Sequence, residues 1–159
     1  MKKIFLFVVM TVMGVSTMAC SSDDNSSTPD YKSSIQGTWK DSKIIYLDKD
    51  RKVLGETPAS DNNDCGIDEI EFKGEAYTLF SSFKNVQNVC ESEISKTKFN
   101  LKGNLVIIGS EDDLEEYEIV ELTGKKLVLL DLDKITESGV EGEGWPKGTV
   151  YIQSEYVKK

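Results

Sequence analysis

Three cysteines, several clusters of carboxylates and a complete absence of histidine set the chemistry open to this chain. Without histidine, the commonest general base and the commonest transition-metal ligand are both missing. Asp131 and Asp133, two apart, share one face of an extended segment and could act as a carboxylate pair. Glycoside hydrolysis needs such a pair across a sugar, and no aromatic platform lies near it in sequence. The run Asp61-Asn62-Asn63-Asp64-Cys65-Gly66 has the look of a calcium loop. Cys65 stands at its fifth place, however, and Phe72 at its twelfth, where a hard-cation ligand and a bidentate Glu are needed. That excludes an EF-hand and leaves only a looser oxygen site from Asp61, Asn63 and Asp64. The run from Glu111 to Glu116 reads as a solvated turn. No nucleophile–base pair assembles, so we expect no enzyme, no metal and no cofactor.

The elements that must position these groups are strands. From Gln36 onward helical periodicity is absent, and short β-rich runs alternate with turn residues. Eight runs are expected, over 36–48, 67–73, 76–83, 93–101, 105–109, 115–122, 126–133 and 148–157. Lys73-Gly74-Glu75, Lys102-Gly103-Asn104 and Thr123-Gly124-Lys125 supply tight connections, each with a glycine able to take positive φ. Longer loops cover 49–66, 84–92 and 134–147. In the sixth run Tyr117, Ile119 and Glu121 share a face. In the last, Val150, Ile152 and Tyr156 do. The fifth and seventh runs, Leu105-Val106-Ile107-Ile108 and Leu127-Val128-Leu129-Leu130, are apolar on both faces, which predicts cover on both. The first run loses phase between Trp39 and Ile44, the mark of a bulge. Eight antiparallel strands joined in sequence predict an all-β, up-and-down barrel, with a β-sandwich as the alternative.

Composition and export signals place the domain. An apolar fraction of 38% with 30% charged residues fits one folded domain in a chain of 159 residues. Residues 1–19 run from Lys2 and Lys3 through an apolar core over 4–15 to small residues, the pattern of an export signal too short for a membrane span. Thr17-Met18-Ala19-Cys20 resembles the lipobox of bacterial lipoproteins, with Thr17 in place of the usual Leu. The resemblance implies that Cys20 is acylated and becomes the mature N-terminus. Acyl chains, at ~0.8 kcal/mol per buried CH2, would then anchor the protein permanently. The other reading is plain secretion. Ser21-Ser22-Asp23-Asp24-Asn25 resembles the serine-and-acidic stretch of surface-exposed lipoproteins of the Bacteroidetes, and residues 20–34 read as a flexible tether. Beyond the signal segment 17 basic residues face 28 acidic ones, a net charge of −11. That excess repels nucleic acid and disfavours anionic lipid by charge alone. With Cys20 acylated, Cys65 and Cys90 remain as an even pair in an oxidising compartment, which predicts a disulfide.

Ile35-Gln36-Gly37-Thr38-Trp39-Lys40 resembles the Gly-X-Trp opening of lipocalins. Residues 35–159 are similar, more closely, to lipocalin-like lipoproteins of the Bacteroidetes. The matching order is Gly37-Thr38-Trp39, Cys65, Gly74 through Tyr77-Thr78, Cys90, then Gly103-Asn104-Leu105, with Phe99 where that family often has a second tryptophan. The resemblance implies an eight-stranded barrel with Trp39 packed across one closed end, so Gly37 and Trp39 are structural. It also implies a lipid-anchored envelope protein of the bacterial outer membrane, on its periplasmic or cell-surface face, holding a small hydrophobic ligand. The alternative is an envelope structural or interaction protein with a filled barrel and no ligand. Trp145, in the glycine-rich run Gly142-Glu143-Gly144-Trp145-Pro146, is the candidate ligand-binding residue, either a contact at the mouth or a lid packed on the wall. Phe72, Tyr77, Leu79, Phe99, Leu105, Ile107, Tyr117, Ile119, Leu129 and Ile152 are expected inside, bulky enough to leave a small cavity or none.

Overall fold

Alternation along the chain sets the strands, and a computed structural model describes residues 30–110, 113–135 and 144–159. The signal segment and Cys20 lie outside the described residues. A short helix α1 (Tyr31–Ser34) precedes nine strands: β1 (Gly37–Leu47), β2 (Val53–Pro58), β3 (Glu69–Lys73), β4 (Ala76–Lys84), β5 (Cys90–Lys102), β6 (Leu105–Ser110), β7 (Asp113–Leu122), β8 (Lys126–Asp131) and β9 (Tyr151–Lys158). β1 and β3 to β9 make a closed, eight-stranded antiparallel barrel, in which each strand pairs with the next and β9 returns to β1. No helix among the described residues is long and apolar enough to cross a membrane.

β2 is an addition to the expected set, inside what the sequence presented as the loop 49–66. Pro58 lies opposite Lys43 and Glu69 opposite Lys40, so β2 and β3 lie end to end along one edge of β1. Residues 59–68 loop out between them. β2 pairs with β1 alone among the described residues, so the barrel does not remove every strand edge. The segment 31–34 is a second correction, since it is helical and not tether. Asp30 caps it by accepting from Ser33 N at 3.2 Å, and Ile35 behind it is fully buried. β5 begins at Cys90, three residues before the expected start at 93.

One end of the barrel is closed and packed. Trp39, Ile70, Phe72, Phe99, Val106, Ile119, Leu127 and Leu129 form its interior with Ile35. Phe72 packs edge-on against Phe99 at 4.9 Å between ring centroids, an arrangement aromatic quadrupoles favour. Trp39 is 0% exposed, and its Nε1–H donates to the Ile35 carbonyl at 2.7 Å. Lys158 Nζ lies 4.1 Å from the Trp39 ring centroid and donates to the Gln36 carbonyl. A Cβ on Gly37 would meet the Lys158 side chain at 3.0 Å, at a φ of 116°. The glycine of the Gly-X-Trp run therefore leaves room for the ammonium that covers the tryptophan.

Two bulges reset the faces of the barrel strands, and a third register shift, at Tyr46/Leu47, falls in the pairing of β1 with β2. The expected one in β1 lies between Asp41 and Lys43, and it turns Ile44 and Tyr46 inward. A second, between Ile119 and Glu121, was not expected. It sends Glu121 outward to Lys126, 2.8 Å away, so Glu121 does not share the face of Tyr117 and Ile119. In β6 the buried residues opposite Tyr117 and Glu115 are Val106 and Ile108, so Leu105 and Ile107 face out, contrary to expectation. In β8 all of Leu127 to Leu130 are buried, as two-sided cover predicts. The outer cover is a small cluster of Ile45, Leu47 and Leu130 with Leu132 and Tyr151. Arg51 closes it, stacked over Tyr151 at 5.8 Å and paired with Glu118 at 2.9 Å.

Candidate functional site: the open end of the barrel

The opposite end receives the 48–52 turn, the 85–89 hairpin, the facing ends of β6 and β7, and residues 132–135 and 144–150. Here the inward rows change character. β1 continues from Trp39 to Asp41, β7 from Ile119 to Tyr117 and Glu115, and β8 from Leu129 to Asp131. Ladder partners carry the change across the wall: Asp41 stands opposite Tyr156, and Tyr117 opposite Asp131. Above an apolar floor the interior is therefore lined by tyrosines and carboxylates.

These groups feel one another. Burial pushes the Asp41 carboxyl up to about 6, against an opposing hydrogen bond from Ser42 N and with help from the Asp68 charge. Asp131 is raised mainly by burial, and further by Asp133 and Glu115. Tyr77 is pushed up to about 12 by burial and by Glu115. Tyr117 and Tyr156 are raised further, again chiefly by burial; Glu115 accepts the Tyr117 hydroxyl at 2.8 Å, and Asp41 lies near Tyr156. The phenols thus stay neutral, and of the carboxyls beside them burial raises Asp41 and Asp131.

Asp41 offers a test. Its folded value of about 6 exceeds the unfolded 3.8, so the folded chain binds its proton more tightly. Stability from this group is full below about pH 4 and is lost as pH rises to about 6. Asp41→Asn keeps the acceptor for Ser42 N and removes the titration. The variant is expected to gain stability relative to the native chain from pH 4 to 6 and to hold that gain above it. Urea midpoints at pH 4, 5, 6 and 7 read the difference; a constant offset would contradict the assignment.

Trp145 lies at this end, half-buried, with its ring centroid 6.0 Å from that of the inward-facing Tyr46. Pro146 follows against Gly55, where an added Cβ would sit 3.1 Å from the proline ring. The Tyr46 hydroxyl shares a hydrogen bond with Thr57 at 3.1 Å. Trp145 is therefore packed at the mouth, beside the polar rows. Phe83 continues the inward row of β4, and Val86 and Val89 at its hairpin tip are exposed, Val86 by 94%. An apolar rim stands over a polar wall.

Cys65 and Cys90 are bonded, with Cα atoms 5.3 Å apart, and tie the 59–68 loop to the start of β5. Asp68 fixes the same loop by accepting from Asn62 Nδ2 at 2.8 Å and from Ser82 N at 2.9 Å. Asp131 and Asp133 do not form a facing pair: Asp131 Oδ1 accepts the backbone N–H of Asp133 at 2.9 Å. Among the described residues no three His, Cys, Asp or Glu side chains come together to hold a metal. Glu111 and Asp112 lie outside the described residues, as do Gly142 and Glu143. Sequence reasoning missed the half-buried Asp41 and Asp68 and the exposed Glu115 at the mouth as neighbours of the tyrosine row, although Trp39, Ile70 and Tyr117 beside them were signals of phase.

The architecture is that of a small closed β-barrel with a packed floor and one open end, a form that suits holding a small hydrophobic ligand. The chain belongs to the lipocalin-like domain family, whose model matches residues 35–129. Similar solved structures include a lipocalin-like protein from Bacteroides uniformis ATCC 8492, 11% identical, with a TM-score of 0.44 over 79% of this chain and 99% of that one. Lobster apocrustacyanin A1 is 15% identical, with a TM-score of 0.42 over 84% of this chain and 64% of that one. The bovine lipocalin allergen Bos d 2 is 16% identical, with a TM-score of 0.41 over 80% and 73%. No curated protein sequence matches the chain.

Proposed function

We propose that this protein is a lipid-anchored lipoprotein of the bacterial outer membrane whose barrel binds a small amphipathic molecule at its open end. Anchoring rests on the resemblance of Thr17-Met18-Ala19-Cys20 to a lipobox, with Cys20 as the acylated residue. The observation that carries the binding reading is the row of Tyr77, Tyr117 and Tyr156 beside Asp41, Asp68, Glu115 and Asp131, under a rim that includes Phe83. An apolar body would rest on the rim and on Trp145, and a neutral or cationic head would meet the phenols and carboxylates. A carboxylate or phosphate head would be repelled there. The groups are disposed for binding and not for catalysis.

Protein purified from its native envelope and sprayed intact is expected to carry one small molecule per chain. Added dodecylamine should displace it and quench Trp145 emission, and dodecanoate should do neither. A filled barrel without a ligand is the second reading, favoured by one observation. The described grooves near 500–600 Å3 lie against outward residues such as Lys73, Lys96, Lys98 and Lys102. Absence of any bound mass, together with no response to dodecylamine, would decide for it.

A further inference from the structure

The two ends of the barrel differ in charge, and the chain enters at the basic one. Each tight turn at the closed end carries a lysine: Lys73 before Gly74, Lys102 before Gly103, and Lys125 after Gly124. Lys32 on α1 and Lys98 on β5 flank these turns, and all five side chains are exposed. Lys43, Lys49, Arg51, Lys126 and Lys159 make ion pairs, whereas none of those five does among the described residues. Asp30 and Glu75 stand beside them, Asp30 engaged with Ser33, and Glu118 and Glu121 lie near the 102–104 and 123–125 turns, held by Arg51 and Asn104 and by Lys126. A groove of about 540 Å3 starts beside Lys32 and Gly74 and runs along the outer face of β5 and β6, past Glu75, Lys98, Asn100 and Lys102, to Gly109 and Leu114. The other end carries Asp48, Asp50, Asp61, Asp64, Asp68, Glu91, Glu93, Asp113, Glu115, Asp131 and Asp133 against Lys49, Arg51, Lys52, Lys84, Lys134 and Lys147, an acidic balance.

We infer that the closed end is a docking face for the headgroups of anionic lipid, which stands the barrel on the membrane with its open end directed away. Net charge argues against such a contact only at long range. The acidic end lies roughly 20–30 Å off along strands that rise ~3.3 Å per residue, against a screening length near 8 Å at physiological salt. The membrane meets the near charges, and these are lysines. Reach agrees: nine residues lie between Cys20 and Asp30, and a chain of that length spans at most ~35 Å. An acylated Cys20 therefore keeps the α1 end beside the bilayer, and the inference rests on that acylation for its orientation. Lysines without a carboxylate partner among the described residues and the point of chain entry fall on one face, and the groove opens there beside Lys32 and Gly74.

The test uses the full acylated protein in vesicles of phosphatidylcholine, with and without about a third phosphatidylglycerol. Hydrogen exchange at 73–75, 102–104 and 123–125 is expected to slow at least threefold on the anionic vesicles alone. The effect should vanish in half-molar salt and in the triple variant K73E/K102E/K125E, whose β8 amides should exchange as in the native chain. Equal protection on both vesicle types, or protection of the 85–89 hairpin in place of the turns, would overturn the inference. Intact mass separates the two readings. An unmodified Cys20 would sink the anchor, while loss of anionic discrimination by an acylated chain would sink only the docking face.

Discussion

Trp39→Ala is expected to lower unfolding stability by about 3–5 kcal/mol, the range for emptying a buried aromatic site. The ring is 0% exposed and lies within the interior formed by Ile35, Ile70, Phe72 and Leu127. Three further losses accompany the cavity. The Ile35 carbonyl loses the Nε1–H that reaches it at 2.7 Å, Lys158 loses the ring beneath its ammonium, and α1 loses the surface on which Ile35 sits. Trp39→Phe keeps most of the volume without the indole N–H and should cost less, about 1–2 kcal/mol. Urea unfolding followed by circular dichroism measures both. A cost below about 1.5 kcal/mol for the alanine variant would mean that the closed end repacks, and that Trp39 does not organise it.

Why Trp39 was legible and the mouth was not is a matter of phase. Gly37-Thr38-Trp39 heads a strand whose first inward residue is large and apolar, so nothing nearby competes for the assignment. The glycine-centred hairpins were equally plain: Gly74 and Gly103 both adopt φ of 63° in two-residue turns. β6 gave no phase, because Leu105 to Ile108 are apolar throughout and either pair could face in. The structure chose Val106 and Ile108, which lie opposite Tyr117 and Glu115. β2 was hidden for a different reason. Val53 and Leu54 are both exposed, and Gly55 and Pro58 read as breakers, so no alternation marks a strand held only by its ladder to β1. Asp41 was lost to the bulge that follows it. A carboxylate two residues from an inward tryptophan is itself inward, yet the break before Ile44 concealed that relation.

Opening the Cys65–Cys90 bridge is expected to cost about 3.5 kcal/mol, the chain-entropy figure for a closed loop of this length, from a sequence separation of 25. Cys90 is exposed and Cys65 half-buried, so a thiol reductant can reach the bond without unfolding the barrel. The bridge holds a loop that resists its own conformation: Asn62, Asn63 and Asp64 all lie at positive φ, between 51° and 68°. Asn is tolerant of that region and Asp less so, and side-chain bonds from Asn62 to Gly66 and Asp68 offset part of the cost. Without the bridge these contacts carry the loop alone, and exchange at 62–66 should accelerate well beyond that of β6 to β8. Urea unfolding of the native protein, of the reduced and alkylated protein and of the variant C65S/C90S measures the global cost. The slope of stability against urea should also rise on opening the bridge, because the unfolded chain then expands and exposes more surface. A loss of stability with an unchanged slope would locate the effect in the folded barrel, at the seam that Asp68 makes with Ser82, and not in the unfolded chain.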